Sequence, residues 1–141
     1  AVVAMMEQNT TLKVLHLTGA NFAIGHICKG LNKTIETLDF YDNPITRAAM
    51  CVVVANLENN TTLKKICFRS CNISNSSAIV LLHGAKHVRC VDLSRNQIDE
   101  KILHMWKPTN NLRRLVLADC AIENFDSITE FNRTHDTFIE T

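Results

Sequence analysis

Residues 63–73 read LKKICFRSCNI, and the spacing of the apolar residues in this stretch recurs along the chain. The pattern is apolar-x-x-apolar-x-apolar-x-x-Asn/Cys-x-apolar, filled here by Leu63, Ile66, Phe68, Cys71 and Ile73. Four further copies are Leu12, Leu15, Leu17, Ala20 and Phe22; Ile35, Leu38, Phe40, Asn43 and Ile45; Val88, Val91, Leu93, Asn96 and Ile98; and Leu112, Leu115, Leu117, Cys120 and Ile122. Ala20 departs from the pattern, since it stands where Asn or Cys is expected. First positions are 23, 28, 25 and 24 residues apart, so the chain is built from an internal repeat.

Each copy of the pattern predicts a short strand followed by an inward turn. Apolar residues at its fourth and sixth positions share one side of a strand, because strand side chains alternate. The Asn or Cys side chain then satisfies backbone groups that the turn leaves unpaired. We expect strands within 12–20, 35–43, 63–71, 88–96 and 112–120. The segments between them are long enough for a helix and are apolar at helical spacing.

These features resemble the leucine-rich-repeat family, and specifically its ribonuclease-inhibitor-like class, in which every repeat carries a helix. The pattern itself carries the resemblance, together with Asn-Thr-Thr-Leu before two strands, at 9–12 and 60–63, and the related Asn-Lys-Thr-Ile at 32–35. The resemblance implies an α/β fold, a right-handed solenoid of about five repeats over residues 1–141. Parallel strands would line its concave face and helices its convex face. Stacking neighbouring repeats would create the continuous core.

Composition excludes several classes of protein. The chain has 141 residues and a formal net charge of +1, so no overall charge points to nucleic acid or to an anionic membrane. Its longest apolar run, 48–57, is too short to span a bilayer. The six cysteines form no CxxC pair and are compatible with three disulfides or with free thiols. We expect a cytoplasmic protein, although a secreted one would be heavily glycosylated at Asn9, Asn32, Asn59, Asn60, Asn72, Asn75 and Asn132.

The helices and the two ends complete the expected organisation. Four apolar residues stand six positions before a strand pattern and are predicted helix core residues: Met6, Leu57, Leu82 and Trp106. Gly84 and Pro108 are expected to end helices. Phe125, Ile128 and Phe131 predict a last helix with Asp126 as its N-cap, and Ile139 is expected to open a sixth copy of the pattern. No polar capping element is evident at either end. The chain is therefore interpreted as an interior stretch of a longer array, or alternatively as an array closed by an irregular cap over residues 125–141.

The outward strand positions predict a binding surface on the concave face. Tyr41 and Arg69 should stand side by side there, and these residue types are enriched at binding hot spots. The alternative is that Arg69 simply pairs with Asp39, Asp42 or Asp92, and that Tyr41 covers its stem. The predicted contact residues are His16, Asp39, Tyr41, Asp42, Lys65, Arg69, Asp92, Arg95 and Arg114.

A second feature is a set of basic residues where the later strands begin. We define this basic edge as Lys64, Lys65, Lys86, His87, Arg89, Arg113 and Arg114. It is either an ordinary solvated surface or a site for an acidic protein segment. No aromatic residues are interleaved with it, which argues against stacking nucleic-acid bases.

Catalytic and metal sites are not expected. Asp39 and Asp92 should flank Cys67, and two carboxylates raise a thiol's pKa, the reverse of what a nucleophile needs. His83, His87 and Cys90 do not form a metal site, because Gly84 interrupts the helix between the two histidines. The sequence therefore predicts a non-enzymatic chain without cofactor or metal.

The family resemblance implies a protein–protein interaction module whose partner binds the concave face. Such modules serve as scaffolds, sensors, or components of cytoskeletal and ciliary assemblies. One alternative is a regulator of an enzyme in trans, such as a small-GTPase activator, which should carry a strongly acidic C-terminal segment. Another is a pathogen effector that binds a host protein, which a secretion signal would distinguish.

Overall fold

The computed structural model describes residues 1–19, 22–31, 33–108 and 111–141, so Ala20 and Asn32 lie outside the described residues. Helices and strands alternate strictly along the chain. They are α1 (Val2–Gln8), β1 (Val14–His16), α2 (Ile24–Lys29), β2 (Thr37–Asp39), α3 (Arg47–Leu57), β3 (Lys65–Cys67), α4 (Asn75–Gly84), β4 (Cys90–Asp92), α5 (Ile102–Met105), β5 (Arg114–Val116), α6 (Phe125–Thr134) and β6 (Phe138–Glu140). The six strands form one parallel sheet in chain order, which confirms the solenoid.

The register of the sheet follows the repeat pattern. The central strand residues align as Leu15, Leu38, Ile66, Val91, Leu115 and Ile139. All of them are buried between the sheet and the helices. The regular strands are three residues long, and the first five lie within the stretches expected from the sequence. They end early because the backbone turns left-handed just before each Asn or Cys position.

That left-handed turn recurs at the same position of the first five repeats. Positive φ angles of 55–59° occur at Gly19, Asp42, Ser70, Arg95 and Asp119. Four of these residues have a Cβ atom, which makes the left-handed region costly. Backbone hydrogen bonds to the next strand hold the turn, as from Asp42 N–H to Arg69 O at 3.0 Å and from Arg95 N–H to Ala118 O at 2.9 Å.

The Asn and Cys positions form the predicted ladder. Asn96 is buried; its Nδ2 donates to Phe68 O and Leu93 O, both at 2.8 Å, and its Oδ1 accepts from the Cys71 N–H at 3.0 Å. Asn43 binds the preceding repeat in the same way, donating to Leu17 O. The Cys71 thiol donates to Phe40 O at 3.2 Å. The ladder therefore ties each turn of the solenoid to its neighbour.

The sixth repeat corrects the predicted alignment of the C-terminal residues. Ile139 pairs with Leu115, so it fills the second apolar position of the pattern and does not open it. The step from Leu115 to Ile139 is then 24 residues, equal to the step before it. All three strand positions of this repeat are present in β6.

The predicted helix core residues are buried, although Trp106 lies one residue beyond α5. Its indole stacks on Phe131 of α6, with ring centroids 5.7 Å apart. The N-cap of α6 is Asn124, whose side chain accepts from the Ser127 N–H, and not Asp126 as expected. The helix therefore begins two residues earlier than expected, where the Asn124 side chain can accept from the first turn.

Two local features explain residues that the pattern alone leaves unassigned. Asn60 Oδ1 accepts from the Thr62 and Leu63 N–H groups, and Asn9 does the same for Thr11 and Leu12, so Asn-Thr-Thr-Leu is an Asx turn that leads into a strand. Gly84 ends α4 where a Cβ atom would lie 1.9 Å from Val54 Cγ1.

Among the helices of the described ranges, none has the length and apolar character needed to cross a lipid bilayer.

Candidate functional site

The strand face is the side of the sheet opposite the helices, formed by outward strand residues and the residues two positions after each strand. The register places His16, Asp39, Cys67 and Asp92 in one row across four strands. Three of the residues expected to face solvent are buried there: Cys67, Ser94 and Val116. The accessible face is therefore narrower than alternation predicts.

Tyr41 and Arg69 meet on this face. The Arg69 guanidinium carbon lies 5.7 Å from the centroid of the Tyr41 ring, within cation–π range. Arg69 Nε also lies 3.9 Å from Asp92 Oδ2, a loose ion pair. The Arg69 side chain remains 44% exposed. The structure thus contains both arrangements considered from the sequence: Arg69 has a carboxylate partner, and it still presents an accessible guanidinium beside an aromatic ring.

Asp39 organises the residues beside this pair. Its Oδ1 accepts from the Tyr41 N–H at 2.9 Å, and its Oδ2 lies 3.0 Å from His16 Nδ1. Burial alone would raise the pKa of Asp39, but hydrogen bonds from the Tyr41 N–H, the Cys67 thiol and His16 outweigh it and hold the pKa below its usual value. The ionised carboxylate therefore orients the backbone that carries Tyr41.

The other predicted contact residues lie around this centre. Arg95 pairs with Asp119 at 3.3 Å beyond the strand ends. Arg114, at the start of β5, donates to Glu140 of β6, with Nε 2.8 Å from Oε2. Asp42 is exposed at the left-handed turn beside Tyr41, and Lys65 is exposed at the start of β3. His16, Asp39, Tyr41, Arg69 and Asp92 thus form one cluster, which we call the central patch, and the remaining four residues lie outside it.

Two strand-face residues escaped sequence analysis because the sixth repeat was misaligned. Phe138 lies beside Arg114 with 55% of its surface exposed, and Glu140 continues the row of Asp39 and Asp92. The 24-residue step from Leu115 was the signal that would have placed both.

Residues of the basic edge occupy matching positions in adjacent repeats. Arg89 N–H donates to Lys64 O and Arg113 N–H donates to Arg89 O, each at 2.8 Å, so these residues stand in adjacent repeats about 4.8 Å apart. Lys86 lies 3.8 Å from Glu58. Within the described ranges, the side chains of Lys65, Arg89 and Arg113 have no hydrogen bond or ion pair.

Comparison with known proteins agrees with this architecture. The family model described as Leucine Rich repeat matches residues 8–23 and 84–103, two stretches that contain β1 and β4. The chain is a leucine-rich-repeat solenoid. No curated protein sequence matches it.

Three solved structures share the solenoid's fold at low sequence identity. The leiomodin-1 actin-binding site 2 has a TM-score of 0.55 and 15% identity, over 94% of this chain and 69% of that one. The tropomodulin C-terminal domain of Caenorhabditis elegans has a TM-score of 0.53 and 11% identity, over 99% and 78%. The Mex67:Mtr2 subunits of Chaetomium give 0.52 and 15%, over 62% of this chain. The solenoid spans 64% of that Chaetomium chain.

The thiols of the ladder and of Cys67 are held by burial and hydrogen bonds. All six cysteines are free, and those of the ladder, Cys71 and Cys120, donate hydrogen bonds to carbonyl oxygens. Burial, together with the carboxylates of Asp39 and Asp92, raises the pKa of Cys67 to about 12. Cys67 is therefore protonated at neutral pH. In the described part of the chain, no three His, Cys, Asp or Glu side chains are placed to share a metal ion.

Proposed function

We propose that this solenoid is an intracellular protein-interaction module that binds a protein partner through the central patch. The observation that carries the proposal is the exposed Arg69 guanidinium stacked beside Tyr41 on a rigid sheet. Its Nε faces Asp92, which leaves the terminal nitrogens for a partner's carboxylate or carbonyl oxygens. An aromatic ring and an arginine on pre-formed backbone lose little freedom on binding, which is why such pairs act as hot spots.

A cytoskeletal role is the form of this proposal that the fold favours. Two of the structural neighbours are a leiomodin actin-binding site and a tropomodulin domain, and the chain aligns with almost its whole length to each. Because their sequence identity is low, these neighbours support the fold alone. The partner of this chain is therefore a proposal and is not taken from theirs. The helix present in each repeat supports the ribonuclease-inhibitor-like class and a cytoplasmic, non-enzymatic module.

The basic edge supports a second contact with an acidic segment of the same partner. The cations at matching positions of three adjacent repeats are Lys64, Arg89 and Arg113, and the side chains of the last two have no described ion-pair partner. Arg114 is held by Glu140. A row of cations about 4.8 Å apart suits an extended acidic peptide better than a compact ion. The trans-acting regulator and the pathogen effector gain no specific support from the described residues.

The test compares proteins retained by tagged wild-type chain with those retained by two double variants. Tyr41→Ala with Arg69→Ala removes the central patch. Phe125→Ala with Arg133→Ala is the matched control, because it removes an exposed aromatic and an exposed arginine from α6. A specific partner should be depleted at least thirtyfold by the first variant, as expected for a loss of about 2 kcal/mol or more, and unchanged by the control.

Circular dichroism must show both variants folded. Equal retention of every partner by wild type and by the Tyr41/Arg69 variant would refute the central patch. Arg89→Glu with Arg113→Glu tests the second contact: binding should weaken and lose much of its salt dependence. If this variant alone abolishes binding, the basic edge is the principal site and the central patch is not.

A further inference from the structure

The outer edge of β6 is occupied by a side chain of its own repeat. Phe138 N–H donates to Arg113 O at 2.9 Å, and Glu140 O accepts from the Leu117 N–H at 2.7 Å, so both residues point their backbone groups at β5. Alternation in a parallel strand then directs the N–H and C=O of Ile139 away from β5, to the side where another strand would pair.

Asn132 satisfies both of these outward groups. Its Oδ1 accepts from the Ile139 N–H at 2.7 Å, and its Nδ2 donates to Ile139 O at 2.8 Å. A carboxamide carries the same donor and acceptor as a peptide group, so one side chain of α6 takes the place of a neighbouring strand. Asn132 is half-buried, which limits the competition of water for these two hydrogen bonds.

Interior repeats do not use this device. Asn132 lies seven residues before the strand centre. The equivalent residues before β2, β4 and β5 are Leu31, Gly84 and Pro108, which have no side-chain amide, and Asn59 before β3 is exposed and makes no described hydrogen bond to Ile66. There the central residues, Val91 and Leu115, pair with the following strand. Asn132 therefore occupies the outer side of β6 in place of a following strand.

The opposite edge of the sheet carries the complementary groups. In β1, Leu15 faces β2, so alternation directs the backbone N–H and C=O of Val14 and His16 outward. Val14 and Met5 are exposed apolar residues at this end, and Phe125 and Phe138 are exposed apolar residues in the last repeat. A second copy could thus present α1 and β1 to α6 and β6 in the order that the repeats already follow.

We infer that Asn132 occupies the outer edge of β6 and so prevents β1 of a second copy of this chain from pairing with it. Head-to-tail addition of that kind does not close on itself and would continue into chains of molecules. Blocking one of the two edges is enough to stop it, which is how proteins guard exposed strands against pairing. This inference is independent of the proposed partner on the strand face.

The experiment measures the mass of the 141-residue chain in solution by sedimentation velocity between about 5 and 200 µM. Wild type should remain monomeric. Asn132→Ala should associate with increasing concentration, to at least twice the monomer mass. Adding Val14→Lys, which places a charge on the β1 edge, should restore the monomer, whereas adding Val52→Lys on the exposed side of α3 should not.

A wild-type measurement keeps the inference testable if Asn132→Ala fails to fold. The Ile139 amide should exchange with solvent at least tenfold more slowly than its unprotected rate, at concentrations where the chain is monomeric. A wild-type chain that self-associates, a folded Asn132→Ala variant that stays monomeric, association that Val14→Lys leaves intact, or an unprotected Ile139 amide would each overturn it.

Discussion

Asn96→Ala removes the side chain that joins the third and fourth turns of the solenoid. The buried amide of Asn96 accepts from the Cys71 and Ile73 N–H groups at 3.0 and 2.9 Å and donates to Phe68 O and Leu93 O. Alanine reaches none of these groups. The variant therefore leaves two donors unpaired at a buried position.

The expected loss of stability follows from those two donors. A buried N–H group without a partner costs about 1–3 kcal/mol, so the pair amounts to about 2–6 kcal/mol. Leu93 O keeps the Cys120 thiol at 3.3 Å, which limits the further cost on the carbonyl side. Against a total stability of about 5–15 kcal/mol, the change is large. Asn96→Cys should fall between wild type and Asn96→Ala, because Cys71 and Cys120 donate to carbonyls from this ladder position.

Urea unfolding, followed by circular dichroism and by the fluorescence of Trp106, measures the free energy of unfolding of each variant. Asn59→Ala is the matched control, since Asn59 is exposed, and it should stay within about 0.5 kcal/mol of wild type. If Asn96→Ala is as stable as this control, the ladder does not hold the turns together, and the reasoning from buried hydrogen bonds fails.

Three further predictions concern packing, pH and thiol reactivity. Gly84→Ala should lower the free energy of unfolding by about 1–3 kcal/mol, because the new Cβ would lie 1.9 Å from Val54 Cγ1. Adding Val54→Ala should relieve that clash, so the double variant should lose less stability than the sum of the two single variants. Strictly additive changes in the free energy of unfolding, measured in urea, would contradict this explanation. Asp39→Asn should lower the free energy of unfolding less at pH 3 than at pH 7. The pKa of Asp39 is lowered in the folded chain, so the ionised carboxylate stabilises the fold at pH values above the unfolded pKa of about 3.9. This contribution is lost as the pH falls through the folded pKa. A difference between the two proteins that does not change with pH would refute this. At pH 8, Ellman's reagent should modify exposed Cys51 well before Cys67, because burial raises the pKa of Cys67 to about 12. Peptide mass spectrometry after a short reaction measures the order of modification. Equal labelling of the two cysteines would refute this prediction.

The helices and strands were largely predictable, because one pattern repeats and each copy supports the others. The strand centres, the buried positions of Met6 and Trp106, and the roles of Asn43 and Cys71 all follow from that alignment. The candidate site was only partly predictable. Alternation correctly placed Tyr41 and Arg69 side by side, but it also predicted an exposed Cys67, which is buried in the structure.

By itself the sequence determined the repeat, the direction each strand side chain faces and the residues that turn the chain inward, since these depend on the geometry of a few consecutive residues. The tertiary structure alone decided which residues of different repeats touch. Three contacts depend on how far each turn of the solenoid is shifted relative to the preceding turn. They are the register of Ile139 against Leu115, the contact of Gly84 with Val54 and the hydrogen bonding of Asn132 to β6. That offset is set by packing between helices of unequal length, which no pattern within one repeat contains.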